Sequence, residues 1–179
     1  MDTSYSSPEF DFRTVSNTIE ADRILVTVEH DLKNPIYTSD FDYQRAEADL
    51  QSILSGKMIN AFQLRWEYDN IRIPSSRYGF IMEEQLPSVV EELKHDQNSN
   101  YGSVVFWDGK DTLPCALTAD FKIRHGVLNA VFFQRSTYKK QLPYDLYNFT
   151  GITRWVCERL ENVELGMLVL VTTSLFQYA

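Results

Sequence analysis

The stretch LPCALTADFKIRHGVLNAVFFQRS, Leu113 to Ser136, carries one of the chain's two cysteines near one end and Arg135 near the other. Within it, Cys115 to Ile123 and Val127 to Arg135 are two apolar runs separated by Arg124, His125 and Gly126. This pattern predicts a β-hairpin with a three-residue loop, in which Gly126 takes the left-handed conformation. If Ile123 pairs with Val127, every further pair keeps the same sum of positions, and Cys115 falls opposite Arg135. Opposite residues share a face, with Cβ atoms roughly 5 Å apart. A guanidinium at that distance favours the thiolate and lowers the thiol pKa. The same residues also fit a buried structural cysteine beside a surface arginine.

On either side of the hairpin the periodicity alternates between strand and helix. DRILVTVEH (Asp22 to His30), SVVFWD and MLVLVTT read as strands from their β-branched runs. YQRAEADLQSIL, stopped by Gly56, reads as a helix with a glycine cap. MEEQLPSVVEELKH (Met82 to His95) places Leu86, Val89, Val90 and Leu93 on one helical face, with Pro87 in its first turn and Lys94 and His95 in its last. YDLYNFTGITRWVCERL, just after Pro143, is a long apolar helix with Gly151 inside it, a sign of close packing. The fold class is α+β, a twisted mixed or antiparallel sheet with packed helices.

The 179 residues, 44% of them hydrophobic, suit one domain spanning positions 1–179. With 25 acidic and 17 basic residues the net charge is -8, which disfavours nucleic-acid polymers and anionic membranes as partners. A small anion held by a few arginines remains compatible with that field. The opening MDTSYSSPEFDF has no basic segment leading into an apolar run, and no eighteen apolar residues occur together, so a soluble, cytoplasmic protein is expected. Cys115 and Cys157 are expected to be free thiols, with Cys157 in the core. His125 is expected in an exposed turn. No metal-ligand spacing, P-loop or dinucleotide fingerprint occurs.

LPCALTADFKIRHGVLNAVFFQRS followed by LPYDLYNF resembles the catalytic core of the thymidylate synthase family: Pro-Cys, a hairpin, Gln-Arg-Ser, then Leu-Pro-Phe-Asn. The cysteine-to-arginine interval matches without a gap. RTVSNTI from Arg13 is similar to the family's phosphate loop, with Val15 and Asn17 in place of its glycines. DLQSILSG resembles the helix that carries the family's catalytic glutamate and puts Asp49 there. RYG, EEQL and VVFWD match further segments, and Tyr178 matches a tyrosine that binds the sugar 3′-hydroxyl.

The resemblance implies one-carbon transfer to carbon 5 of a pyrimidine nucleotide monophosphate, with 5,10-methylenetetrahydrofolate as cofactor, in a homodimer packed through its sheets. Cys115 would add to carbon 6 of the ring. Arg135, Gln134, Ser136 and Arg13 would bind the substrate, with the arginines on its phosphate and Arg135 also keeping the thiol ionised. Asp49 would relay protons through water. Asp145 stands where thymidylate synthases have asparagine and the family's cytidylate hydroxymethylases have aspartate. A carboxyl accepts from cytosine's exocyclic amine, so Asp145 favours a cytosine nucleotide; it also suits the first turn of a helix.

Departures from the pattern support two other readings. Asn100 and Tyr101 replace the arginines that a partner subunit lends to the phosphate site, and Phe176 replaces a histidine. The segment from Arg135 to Pro143 is one residue short and carries Lys139 and Lys140. The family's C-terminal part, which closes over folate, is expected to be missing after Ala179. A catalytically silent nucleotide binder or protein-interaction scaffold is one alternative. An enzyme that keeps thiolate addition without folate is the other.

Overall fold

A computed structural model of the chain describes residues 12–15, 18–21, 26–37, 39–55, 81–106 and 115–178. Among the described residues, nine strands form two sheets, with three α-helices between them in sequence. β1 (Phe12–Val15), β2 (Thr18–Ala21) and β3 (Val26–Asp31) come first, followed by α1 (Tyr43–Ser55), α2 (Leu86–His95) and β4 (Ser103–Val105). β5 (Ala116–Arg124), β6 (Val127–Gln134) and β7 (Thr137–Tyr138) lead into α3 (Leu142–Cys157), β8 (Glu164–Thr172) and β9 (Leu175–Tyr178). The larger sheet has the order β3-β8-β6-β5-β4 and the smaller β1-β2-β9-β7. β6 and β8 pair in parallel, because α3 carries the chain back across one face between them. The expected α+β class is the one observed.

The hairpin forms, but with a different turn and register. Arg124 pairs with Val127, leaving only His125 and Gly126 in the loop, at φ 54° and 75°. Both positive φ values belong to a two-residue turn whose twist matches that of the strands. Ile123 therefore faces Leu128 rather than Val127, one position away from the expected pairing. A bulge between Ala116 and Thr118 takes up one residue, Ala116 meets Gln134, and Arg135 N–H donates to the Cys115 carbonyl at 2.9 Å. The expected neighbours thus meet through two offsets that cancel: a shorter turn and an extra residue in β5.

One face of the large sheet is the core. Ala119, Phe121 and Ile123 of β5, Leu128, Ala130 and Phe132 of β6, and Leu168 and Leu170 of β8 are all buried. Phe149 of α3 stacks on Phe132 with ring centroids 4.1 Å apart. Leu86, Val89, Val90 and Leu93 of α2 are buried as its periodicity predicts. The segment before α2 differs from expectation: Ile81–Gln85 is a π-helical turn, and α-helical geometry begins at Leu86. Pro87 explains this, because it has no N–H to return to the carbonyl four residues back. Gln85 then turns toward β4, where its side chain donates to the Val105 carbonyl at 2.9 Å and accepts from the Val105 N–H at 2.8 Å.

The opposite face of the large sheet is open and carries an apolar strip among polar residues such as Asp120, Lys122 and Glu29. Val105, Val131 and Met167 are 47%, 41% and 38% exposed, and half-buried Phe133, Val169 and Val171 lie among them. The expected Gly56 cap, the Asp22–Leu25 start of β3, Arg77–Gly79 and the Trp107–Asp108 end of the β4 segment lie outside the described residues. Both cysteines are free, and Cys157 is buried on α3 with its thiol donating to the Val163 carbonyl at 3.5 Å. No described helix is long and apolar enough to cross a membrane.

Candidate functional site

Two strands leave the large sheet and enter the small one at the same level, and the candidate residues gather at this seam. β6 passes through Arg135 and Ser136 into β7, and β8 passes through Thr173 and Ser174 into β9. Thr173 Oγ1 donates to the Arg135 carbonyl at 2.7 Å, and the Thr137 N–H donates to the Ser174 carbonyl at 2.7 Å. Cys115 joins the seam through its backbone bond to Arg135 and through its thiol, whose Sγ is 3.8 Å from Ser136 Oγ.

Behind the thiol lies a buried polar chain. Gln134 is 2% exposed on the helix-covered side of β6, where alternation would otherwise place an apolar residue. Thr137 Oγ1 donates to its carbonyl oxygen at 2.6 Å, and its amide donates to Asp145 Oδ2 at 3.2 Å. Thr137 thereby fixes which end of the Gln134 amide meets the carboxyl. Asp145 sits in the first turn of α3, and Asp49, only 3% exposed, in the second turn of α1.

Burial governs the acid–base state of all three titrating groups. It raises Asp145 to about 7, with the Gln134 hydrogen bond pulling down and the Asp49 charge pushing up. Burial also raises Asp49 to about 6, against the pull of Arg45. The Cys115 thiol is pushed above its ordinary value, chiefly by burial; its contact with Ser136 and the Arg135 charge pull down, and the Asp145 charge pushes up. This corrects the expected depression of the thiol by Arg135. The guanidinium does act in the expected direction, but its effect is the smallest of the four, because Arg135 is exposed and water screens it.

The other sequence candidates are on the small sheet. Arg13 is on β1, in register with Glu20 of β2, which in turn pairs with Phe176 of β9. β1 is the edge of that sheet farthest from β7, so the strand of Arg13 is not a neighbour of the strand that follows Arg135. Tyr178 is on β9 opposite Thr18. His125 is exposed at the hairpin tip, as expected. Among the described residues no three His, Cys, Asp or Glu side chains are grouped to hold a metal.

Two residues of the site escape sequence reasoning. Thr137 follows the recognised Gln-Arg-Ser segment but carries no signal of its own. Asn148 is 7% exposed on α3 one turn after Asp145, and a polar residue on so apolar a helix was the only sign of it.

A tyrosine-rich cluster borders Asp145 on α3. Tyr144 has its ring 4.8 Å from Phe41, with the Arg45 guanidinium 4.7 Å above it. Phe41 in turn lies 4.5 Å from Tyr37, in a stacked arrangement.

No protein-family model matches the chain. A protein of Methanosarcina acetivorans named "Putative thymidylate synthase" is 30% identical over 101 residues, which covers 53% of this chain and 46% of that protein. The chain therefore spans about half the length of the curated relative it matches. The crystal structure of thymidylate synthase from T4 phage superposes with a TM-score of 0.71 at 18% identity, covering 90% of this chain and 68% of that one. This agreement in architecture shows that the chain has the thymidylate synthase fold.

Proposed function

We propose that the protein transfers a one-carbon unit to carbon 5 of a pyrimidine nucleotide monophosphate, with cytosine as the favoured base. The observation that carries this reading is a thiol at the seam that feels the charge of buried Asp145, which in turn feels the charge of Asp49 on α1. Cys115 Sγ adds to carbon 6 of the ring, the carbon 5–carbon 6 double bond opens, and carbon 5 becomes the nucleophile. Ser136, within reach of Sγ, takes part in orienting the thiol, and Arg135 and Arg13 bind the phosphate. The raised thiol pKa suits a site in which bound phosphate and the base, by fixing Arg135 and expelling water, strengthen the guanidinium's hold on the thiolate.

Asp145 reads the base. Gln134 donates to one of its oxygens and so orients the carboxyl. With its pKa near neutrality, Asp145 can donate from the protonated form to a ring nitrogen or accept from an exocyclic amine, which is the pattern cytosine offers. Asp49, held at about 6, is poised to take and return a proton at working pH.

Beside Asp145, the half-buried Tyr144 ring with the Arg45 guanidinium 4.7 Å above it supports a folate, the cation suiting its carboxylate tail. Methylenetetrahydrofolate, when bound, would supply the one-carbon unit. The open apolar face of the large sheet supports a homodimer.

Release of the carbon 5 hydrogen from labelled dCMP, CMP and dUMP, with and without methylenetetrahydrofolate, tests the reading. Release that favours a cytosine nucleotide and disappears in Cys115→Ala, with nucleotide binding retained, is the expected result. The absence of release from all three by folded protein would overturn it. The raised Cys115 pKa favours one other reading, a nucleotide binder without turnover, and that reading would then stand if the nucleotides still bind.

A further inference from the structure

Among the described residues, one hydrogen bond reaches the Asp145 carboxyl, from the Gln134 amide at 3.2 Å, the long end of the N–H···O range. A buried carboxyl that ionises needs more than that, because its two oxygens present about four acceptor sites.

A second donor stands one helical turn away. Gln141 caps α3: its N–H donates to the Tyr138 carbonyl at 2.8 Å, and its own carbonyl accepts from the Tyr144 and Asp145 N–H groups at 2.9 and 3.0 Å. These bonds fix its backbone on both sides. The side chain makes no capping bond, and its Nε2 is buried without an acceptor among the described residues. A buried donor left unmet costs about 1–3 kcal/mol, so a partner within reach is worth taking up. Residues four apart share a helix face, and glutamine with aspartate at that spacing forms a hydrogen-bonded pair. Gln141 and Asp145 have that spacing, and the Gln141 amide already draws the carboxyl toward its ionised form, although Nε2 completes no hydrogen bond at rest.

The charged groups around Asp145 do not fill this role. Asp49 of α1 pushes the carboxyl toward its protonated form, and Cys115, just before β5, feels the Asp145 charge as repulsion. Arg45 of α1 acts on Asp49, and Arg135 at the end of β6 acts on Cys115. The two neutral amides are therefore the groups that favour a charge on Asp145.

We propose that Gln141 is a positioning residue whose side-chain amide is a second donor to the Asp145 carboxyl, orienting it for the base and steadying it when it gives up its proton. The donor closes on the carboxyl as Asp145 ionises or passes its proton to a ring nitrogen. The inference deepens the proposed function and rests on Asp145 as the residue that reads the base. It also makes a claim about the resting protein that needs no substrate.

Gln141→Met, similar in length but without a donor, is the test. Urea denaturation across pH, referenced to Asp145→Asn, reads the Asp145 titration without substrate, and Gln141→Met is expected to move it up by about one pKa unit. Calorimetric binding of dCMP, which weakens as Asp145 loses the proton it shares with the ring nitrogen, is expected to weaken about one pH unit higher in the variant. A side chain that only fills space would leave both profiles in place. An Asp145 titration that stays put in Gln141→Met would overturn the inference; if that variant fails to fold, Gln141→Ala replaces it under the same two outcomes. A shifted titration in a protein whose wild type releases no hydrogen from dCMP leaves the Gln141 clamp standing and removes the proposed function. Release with an unmoved titration removes the clamp alone.

Discussion

At the scale of single residues, the seam concentrates buried polarity, and its cost should be visible in stability. Asp49 and Asp145 both titrate higher in the folded chain than free carboxyls do, so the unfolded chain releases these protons first as pH rises. Stability is therefore whole below about pH 4 and is lost as pH climbs to about 7. Asp145→Asn removes part of that loss: we expect a gain of about 2 kcal/mol near pH 8 and almost none near pH 4, measured by urea denaturation at both. A loss of stability at the higher pH would show that the charged form is compensated in the fold. Thr137→Val tests the chain behind it. It strips the donor from the buried Gln134 carbonyl and is expected to cost about 1–3 kcal/mol, with Thr137→Ser restoring most of it.

At the scale of elements, two contacts decide how the site is held. The parallel α1–α3 contact depends on Gly151, because a Cβ there would lie 3.0 Å from Leu50 Cγ and closer still to its methyls. Gly151→Ala gains about 1 kcal/mol of helix propensity but overpacks the contact by about 1–3 kcal/mol. The expected outcome is a destabilised single variant whose excess cost vanishes in the background of Leu50→Ala, read from a double-mutant cycle of denaturation free energies. The hairpin shows how much of an element its sequence gives. The strands and the glycine at the turn were legible in the pattern of apolar residues. The turn length was not, because His125 at positive φ is a choice few residues make and it left no signature. His125→Asn suits that conformation better and is expected to add a few tenths of a kcal/mol.

At the scale of the whole molecule, the large sheet has a core face sealed by helices and a second face where valines, a methionine and a phenylalanine remain reachable. An exposed apolar patch of this kind marks an interaction surface. Sedimentation of the protein is expected to give a dimer, and Val131→Glu, at the centre of that face, a monomer with unchanged circular dichroism. A wild-type monomer would remove the homodimer from the proposed function.

What the sequence by itself determined follows from local spacing. The apolar periods of α1, α2 and α3, the strand runs and the ungapped interval between Cys115 and Arg135 are properties of the chain read a few residues at a time. They were enough to reveal the family resemblance and the α+β class. What only the tertiary structure decided depends on long-range burial. The Cys115 thiol moves up rather than down because desolvation outweighs an exposed guanidinium. The bulge in β5 restores a register that the turn alone would have broken. Leu50 of α1 packs close to α3 only because Gly151, far away in the chain, has no side chain. Desolvation and helix contact are set by residues distant in sequence, so no local pattern carries them.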